Sequence, residues 1–178
     1  MSRAPVAAIG FILLATLACG VATAGASKKG KAPAFTLDTL SGERVTLSDA
    51  LADGPVVLDF WATWCAPCRR ALPHLQALSD KYSDRGLSVL LINQDDPRNE
   101  PKIAAAVRSL GLDLPVLMDR DRRIARLYQV TALPATFVIS ATGEVIAYHR
   151  GYHDGDQEIL AAEVESLLAA TAAEEAAP

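Results

Sequence analysis

The sequence predicts an α/β fold, a central mixed β-sheet flanked by helices, and three observations carry that prediction. Two short, nearly continuous apolar runs, 56–60 and 87–92, have the length and Val/Leu/Ile content of strands buried on both faces. After the first of them, apolar residues recur at three- and four-residue steps, as on the inner stripe of a helix. Past residue 135 the pattern changes to two strand-like runs across a short turn, followed by one more amphipathic helix. With 178 residues, 51% of them hydrophobic, the chain can bury one core of ordinary size, and a single domain is expected over 34–170.

Taken in order, Pro33 marks entry to the folded part after a polar linker at 25–33. Phe35 to Leu37 and Arg44 to Leu47 read as short strands around a Ser41-Gly42 turn. Ser48 is placed to cap a helical turn from Asp49 to Ala52, which Asp53-Gly54-Pro55 ends. Val56 to Phe60 is the first central strand. Leu72, Leu75, Leu78 and Tyr82 mark the inner face of a helix from about Cys68 to Arg85, stopped by Gly86 and kinked at Pro73. Leu87 to Ile92 is the second central strand, and 93–99 a polar loop. Pro101 to Leu110 reads as a helix ended by Gly111, Pro115 to Met118 as a strand, and Asp119 to Tyr128 as a further helix. Thr136 to Ile139 and Val145 to Arg150 form a hairpin across 141–143. In the last helix, Asp156 to Ala170, the apolar face is Ile159, Leu160, Val164, Leu167 and Leu168, and the Ala/Glu-rich tail 171–178 is expected to fray.

The first 24 residues have the layout of a secretory signal. Arg3 stands in a short basic region, an apolar stretch runs from Val6 to Ala18, and Ala22-Thr23-Ala24 offers a cleavage site. Two other readings of this end stand beside simple cleavage: a lipoprotein signal with Cys19 as the lipidated residue, and an uncleaved membrane anchor. All three put the domain outside the cytoplasm, in the periplasm or its equivalent. The net charge is −4, with lysine and arginine scattered rather than massed, which argues against a nucleic-acid partner.

Cleavage after Ala24 would leave two of the three cysteines, Cys65 and Cys68. An exported chain whose only thiols form a C-x-x-C has no structural disulfide framework, so a working redox pair is favoured over a staple. The pair follows a buried strand and two tryptophans, Trp61 and Trp64, and opens a helix. Unpaired N–H groups and the helix dipole at such a start stabilise a thiolate, making Cys65 the candidate nucleophile. Cys68, three residues on, lies within bonding reach, so it can resolve a mixed disulfide formed at Cys65. Pro67 lacks only an N–H that the first helical turn leaves unpaired. Asp59, a carboxylate on a buried strand, should have a raised pKa and could exchange a proton with Cys68; the plainer alternative is a satisfied structural aspartate.

Asp59-Phe60-Trp61-Ala62-Thr63-Trp64-Cys65-Ala66-Pro67-Cys68, with Pro73 and the later Leu133-Pro134-Ala135-Thr136-Phe137, resembles the thioredoxin superfamily. More narrowly, the chain is similar to extracytoplasmic thiol:disulfide oxidoreductases of the TlpA/ResA type, over roughly residues 34–168. That resemblance implies a thioredoxin-like fold with an N-terminal strand pair and an inserted helix-strand element. It implies that Cys65 attacks a partner disulfide and Cys68 resolves it, with no cofactor. It also implies that Leu133-Pro134 is a cis-proline loop which, with Trp64 and Pro67, forms the docking edge for substrate. The expected role is that of a reductant in cytochrome c maturation or a related pathway, fed by a membrane electron donor of the DsbD or CcdA kind and acting as a monomer on protein disulfides. Asp59 matches the buried aspartate of thioredoxin, where TlpA/ResA-type proteins often have asparagine. Ala71 stands where several ResA-type proteins have glutamate. Both departures lean toward general thioredoxin-type reduction.

Two further functions compete with this one. A net oxidant or isomerase would use the same residues, because the C-x-x-C environment sets the potential over a wide range. A copper-binding module would use the two thiolates with a histidine, although His149 and His153 read as surface residues and no metal site is expected. His74, Arg69 and Arg70 read as solvated helix positions, and Arg120, Arg122, Arg123 and Arg126, interleaved with Asp119 and Asp121, as a solvated face.

Overall fold

The computed structural model describes residues 30–175; the predicted signal segment, Cys19 and the last three residues lie outside them. In chain order the strands and helices are β1 (Gly30–Lys31), β2 (Thr36–Asp38), β3 (Arg44–Thr46), α1 (Leu47–Ala52), β4 (Val56–Trp61), α2 (Ala66–Tyr82), β5 (Ser88–Asn93), α3 (Glu100–Ser109), β6 (Val116–Met118), α4 (Arg123–Leu127), β7 (Ala135–Ile139), β8 (Glu144–Arg150) and α5 (Asp156–Glu175). Six strands form one sheet in the order β1-β8-β7-β4-β5-β6, and β2 pairs with β3 separately. The pairs β4–β5 and β5–β6 are parallel, whereas β4–β7, β7–β8 and β1–β8 are antiparallel. The sheet is therefore mixed, as the sequence predicts.

β4 lies at the centre, and every one of its residues is buried. Alternation along a strand sends neighbouring side chains to opposite faces. Val57 and Trp61 accordingly join α2, α3 and α5 in one core through Leu72, Leu75, Ile103, Leu160 and Val164. Val56, Leu58 and Phe60 join α1 and α4 in the other through Leu47, Ile124 and Ala125. Asp59 stands between Val57 and Trp61, so it faces the α2 and α5 side. Two glycines set the entrances to the central strands. A Cβ at Gly86, whose φ is +88°, would lie 2.2 Å from the Asp53 carbonyl oxygen, and one at Gly54 would lie 2.6 Å from that of Gly86, so only glycine lets these segments approach.

Several predicted boundaries move, each for a local reason. The stretch 25–33 is not wholly linker: Gly30 and Lys31 pair with Val145 and Glu144 as an edge strand. The cap of α1 is Thr46, whose hydroxyl accepts from the Asp49 N–H at 3.0 Å, while Ser48 bonds to that hydroxyl instead. α2 begins at Ala66, two residues before Cys68, and runs unbroken across Pro73. α4 is shorter than predicted because Arg122 sits at φ 56°, a left-handed conformation that cannot belong to the helix. Asp119 caps α4 from outside, accepting from the N–H groups of Ile124 at 3.0 Å and Ala125 at 2.8 Å. The polar stretch 93–99 contains a 3₁₀ turn at Pro97–Asn99, and α5 continues through Glu175, where fraying was expected. No helix among the described residues is long and apolar enough to cross a membrane.

Candidate active site

The loop from the end of β4 into α2 presents the two cysteines. Cys65 is the N-cap residue of α2, and its N–H donates to the Ala62 carbonyl at 3.1 Å. Pro67 sits in the first turn, as its missing N–H allows. Cys65 and Cys68 are joined as a disulfide, their Cα atoms 5.3 Å apart. The Cys68 N–H points at the Cys65 sulfur, 3.3 Å away. That donor would lie beside the Cys65 thiolate once the pair is reduced, in addition to the field of the helix end. Cys65 retains 5% of its accessible surface and Cys68 none, so only Cys65 is open to an incoming sulfur.

Asp59 lies fully buried on the face of the sheet that α2 covers. It stands opposite Thr136 on β7, whose hydroxyl donates to Oδ1 at 2.7 Å. Oδ2 is buried without a hydrogen-bond partner. Burial pushes the carboxyl up to about 7, with the Thr136 hydrogen bond pulling the other way. A carboxyl in that range can take and return a proton near neutral pH.

The Leu133–Pro134 peptide is cis, and the Pro134 carbonyl accepts from the Gly151 N–H at 2.9 Å. Leu133 packs against the core cluster that holds both cysteines. Trp64, 67% exposed, and Leu133 line one open groove of about 440 Å³, together with Val130, Arg122 and Arg126. The structure thus gathers Trp64, the neighbour of Cys65 in the chain, and Leu133, the neighbour of Pro134, on a single surface, while Pro67 lies between the two cysteines in the first turn of α2.

One group escapes the sequence reading. Asp95, just beyond β5 in what read as a polar loop, is buried and accepts from the Thr63 N–H at 2.7 Å and the Thr63 hydroxyl at 2.6 Å. Asn93 fixes it, donating from Nδ2 at 2.9 Å and accepting the Asp95 N–H at 2.9 Å. The Gln94 N–H donates to the Trp61 carbonyl at 2.8 Å. Asn93, Gln94 and Asp95 therefore hold the segment that leads into Trp64 and Cys65. The available signal was a polar triplet directly after the buried apolar run Val89–Ile92, a position where polar side chains are buried only if they have partners.

The predicted surface groups are mostly engaged elsewhere. The ring of His149 lies 2.7 Å from Glu163 Oε2, and His153 lies 3.5 Å from Asp156 and is 84% exposed. Among the described residues no group of three or more His, Cys, Asp or Glu side chains is placed to share a metal ion. Arg120 pairs with Glu100 at 2.7 Å, while Arg122 donates to the Gln94 carbonyl at 3.2 Å beside the groove. His74 stacks on Tyr152 with ring centroids 5.9 Å apart.

Comparison with known proteins adds to this geometry. Residues 29–148 match the model of the AhpC/TSA family. The chain is 35% identical over 122 residues to the thiol-disulfide oxidoreductase ResA of Bacillus subtilis strain 168, covering 67% of this chain and 65% of that protein. It thus spans slightly less than two thirds of that relative's length. The ResA protein of Bacillus thuringiensis subsp. konkukian strain 97-27 is 32% identical over 127 residues, covering 71% of this chain and 72% of that one. Among solved structures, a candidate thiol:disulfide interchange protein DsbE from Chlorobium tepidum superposes with a TM-score of 0.74 at 32% identity, over 80% of this chain and 98% of that chain. A secreted Mycobacterium tuberculosis disulfide oxidoreductase homologous to Escherichia coli DsbE gives a TM-score of 0.63 at 25% identity, over 75% and 96% of the two chains.

Proposed function

The chain belongs to the AhpC/TSA family, with ResA-type relatives, and from that premise we propose that it is an extracytoplasmic thiol:disulfide oxidoreductase that reduces protein disulfides. The observation that carries the reading is the Cys65–Cys68 pair at the start of α2, one sulfur reachable and the other sealed in the core. Reduced Cys65 attacks one sulfur of a substrate disulfide and expels the other as a thiolate. Cys68 then loses its proton to Asp59 and attacks Cys65, which releases the second substrate thiolate and re-forms the internal disulfide. Two electrons leave the Cys65/Cys68 dithiol and enter the substrate; the protons of the dithiol end on the two substrate thiols, directly or through solvent. Trp64, Pro67, Leu133 and Pro134 form the docking edge on which the substrate backbone lies.

The signal-like residues 1–24 and the secreted character of one similar protein support an extracytoplasmic site of action. Retention at the membrane through Cys19 or through the apolar segment fits the same placement. A reductant in an oxidising compartment needs a supply of electrons, for which a membrane thiol transporter of the DsbD or CcdA kind is the fitting class. Cytochrome c maturation, or a related thiol-reducing pathway, is the role in which the protein, acting as a monomer, meets its substrates.

The test is reduction of insulin with dithiothreitol as electron source. Wild-type protein should accelerate the appearance of free insulin B chain, and Cys65→Ser should return the rate to background. Retained activity in Cys65→Ser would remove the basis of the proposal.

A further inference from the structure

Asp59 is sealed from solvent, so a proton it takes from Cys68 has to leave by some route. The sheet lays out one. Asp59 on β4, Thr136 on β7 and His149 on β8 are register partners across three adjacent strands. Directly opposed residues share a face of the sheet, with Cβ atoms about 5 Å apart, so the three side chains form a row beneath α2 and α5. The inner link is the Thr136 hydroxyl donating to Asp59 Oδ1 at 2.7 Å. The outer link is His149 Nε2 to Glu163 Oε2 on α5, also 2.7 Å. Between them lies a cavity of about 40 Å³ lined by Thr136 and His149, more than the roughly 15 Å³ that one water needs. Ala71, with only a methyl group, forms part of its wall. The side chains of His149 and Glu163 are 26% and 31% exposed, so the row ends at solvent.

We propose that His149 and Glu163 carry protons between Asp59 and solvent across this cavity, with the Thr136 hydroxyl as the inner relay. The proposal rests on Asp59 taking the Cys68 proton. The chemistry of each group suits its place. A hydroxyl both donates and accepts, so it passes a proton on without holding charge. With Nε2–H donating to Glu163, the other ring nitrogen, Nδ1, is the one left to accept a proton. When Cys68 attacks Cys65, its proton moves to Asp59. The Thr136 hydroxyl, which donates to Asp59 Oδ1 beforehand, turns to accept that proton and gives its own to cavity water. The water passes one to His149, and the proton leaves to solvent beside Glu163. No electrons move along this path. The other titratable groups on the cavity are His74 from α2, Tyr152 from the segment after β8, and Asp156 at the start of α5. His74 stacks on Tyr152 rather than joining the row, so it serves as the comparison imidazole.

The test is a single-turnover oxidation of the reduced protein by a peptide disulfide, followed through tryptophan fluorescence between pH 6 and 8.5. His149→Ala and Glu163→Gln should each slow the Cys68 step by roughly tenfold, at the lower end of what proton-transfer groups contribute. Added imidazole should restore His149→Ala toward wild type, an effect that a purely structural role would not give. In a Cys68→Ser background, where no proton leaves Cys68, His149→Ala should leave the rate of mixed-disulfide formation unchanged. A His149→Ala rate within twofold of wild type across the pH range overturns the proposal, as does slowing without imidazole rescue, or slowing by His74→Ala in place of His149→Ala. Should His149→Ala not fold, Glu163→Gln decides: the same slowing supports the path, and a rate within twofold of wild type overturns it. Asp59→Asn separates the two levels. If it too leaves the Cys68 step unchanged, the Asp59 relay itself fails; if it slows the step while His149→Ala does not, only the outer path fails.

Discussion

At the scale of single residues, the division of labour between the two sulfurs comes from exposure, and that of Asp59 from the lack of it. Cys65 keeps a small opening to solvent and Cys68 has none, so in the proposed cycle an intermolecular disulfide would form at Cys65 and an intramolecular attack would end it. Asp59 carries a measurable signature. Its carboxyl titrates near 7 in the folded chain against an ordinary value of 3.8, so the native state binds the extra proton between these limits. Stability therefore falls as pH rises from about 4 to about 7 and levels above that, the reverse of a salt-bridged aspartate. Asp59→Asn removes that dependence. The oxidised variant should be more stable than wild type at pH 8, by a few kcal/mol at most, since a tenfold change in proton affinity corresponds to about 1.4 kcal/mol, and nearly equal to it at pH 4. Urea unfolding at the two pH values measures the difference, and equal midpoints at pH 8 would show that burial does not cost the carboxylate its charge.

At the scale of elements, the site depends on how the ends of β4 and β5 are held. Asp95 ties down Thr63, the residue before Trp64, through both its N–H and its hydroxyl. Asp95→Ala leaves these donors without their acceptor in a partly buried place, at a cost of about 2 kcal/mol. It should also lower insulin reduction by roughly tenfold, because small displacements of reacting groups are expensive. The pairing of both losses distinguishes a positioning role from a general destabilisation, which would leave activity intact below the melting temperature. At the opposite end of the strands, Gly86→Ala drives a Cβ against the Asp53 carbonyl and strains a positive φ. A loss of about 2–4 kcal/mol is expected in urea unfolding, with insulin reduction unchanged while the protein is folded. The elements also mark where reading the residues alone falls short. α4 looked longer because Asp119, Asp121 and the arginines form a good helix start by composition. Arg122 in a left-handed conformation and Asp119 reaching over to cap Ile124 and Ala125 delay it. Thr46 takes the cap expected of Ser48 because the helix starts one residue after β3, at Leu47, which places Ser48 inside the first turn with its hydroxyl bonded to that of Thr46.

At the scale of the molecule, the direction of electron flow is a property of the whole surroundings of the dithiol. A reductant of this fold should poise near the thioredoxin potential of about −270 mV, and an oxidant near about −120 mV. Equilibration of the purified protein against glutathione buffers is expected to give a value nearer the first; one nearer the second would reassign it as a donor of disulfides.

What the amino-acid sequence by itself determined is local in character. Two apolar runs, one helical stripe and a terminal hairpin establish the mixed sheet, because period and length are written into neighbouring residues. Cys65-Ala66-Pro67-Cys68 behind a buried strand establishes the candidate chemistry, and a carboxylate inside that strand announces its own perturbation. Tertiary structure decided what depends on residues far apart in the chain. It set Thr136 against Asp59 and His149 beside Thr136 by strand register, turning a histidine that looked like a surface residue into the rim of a cavity. It brought Asp95 under Thr63 across 32 positions and the cis Leu133–Pro134 loop to the groove beside Trp64. The reason is that a side chain's partner across a sheet is chosen by the pairing of whole strands, and no spacing within either strand records that choice.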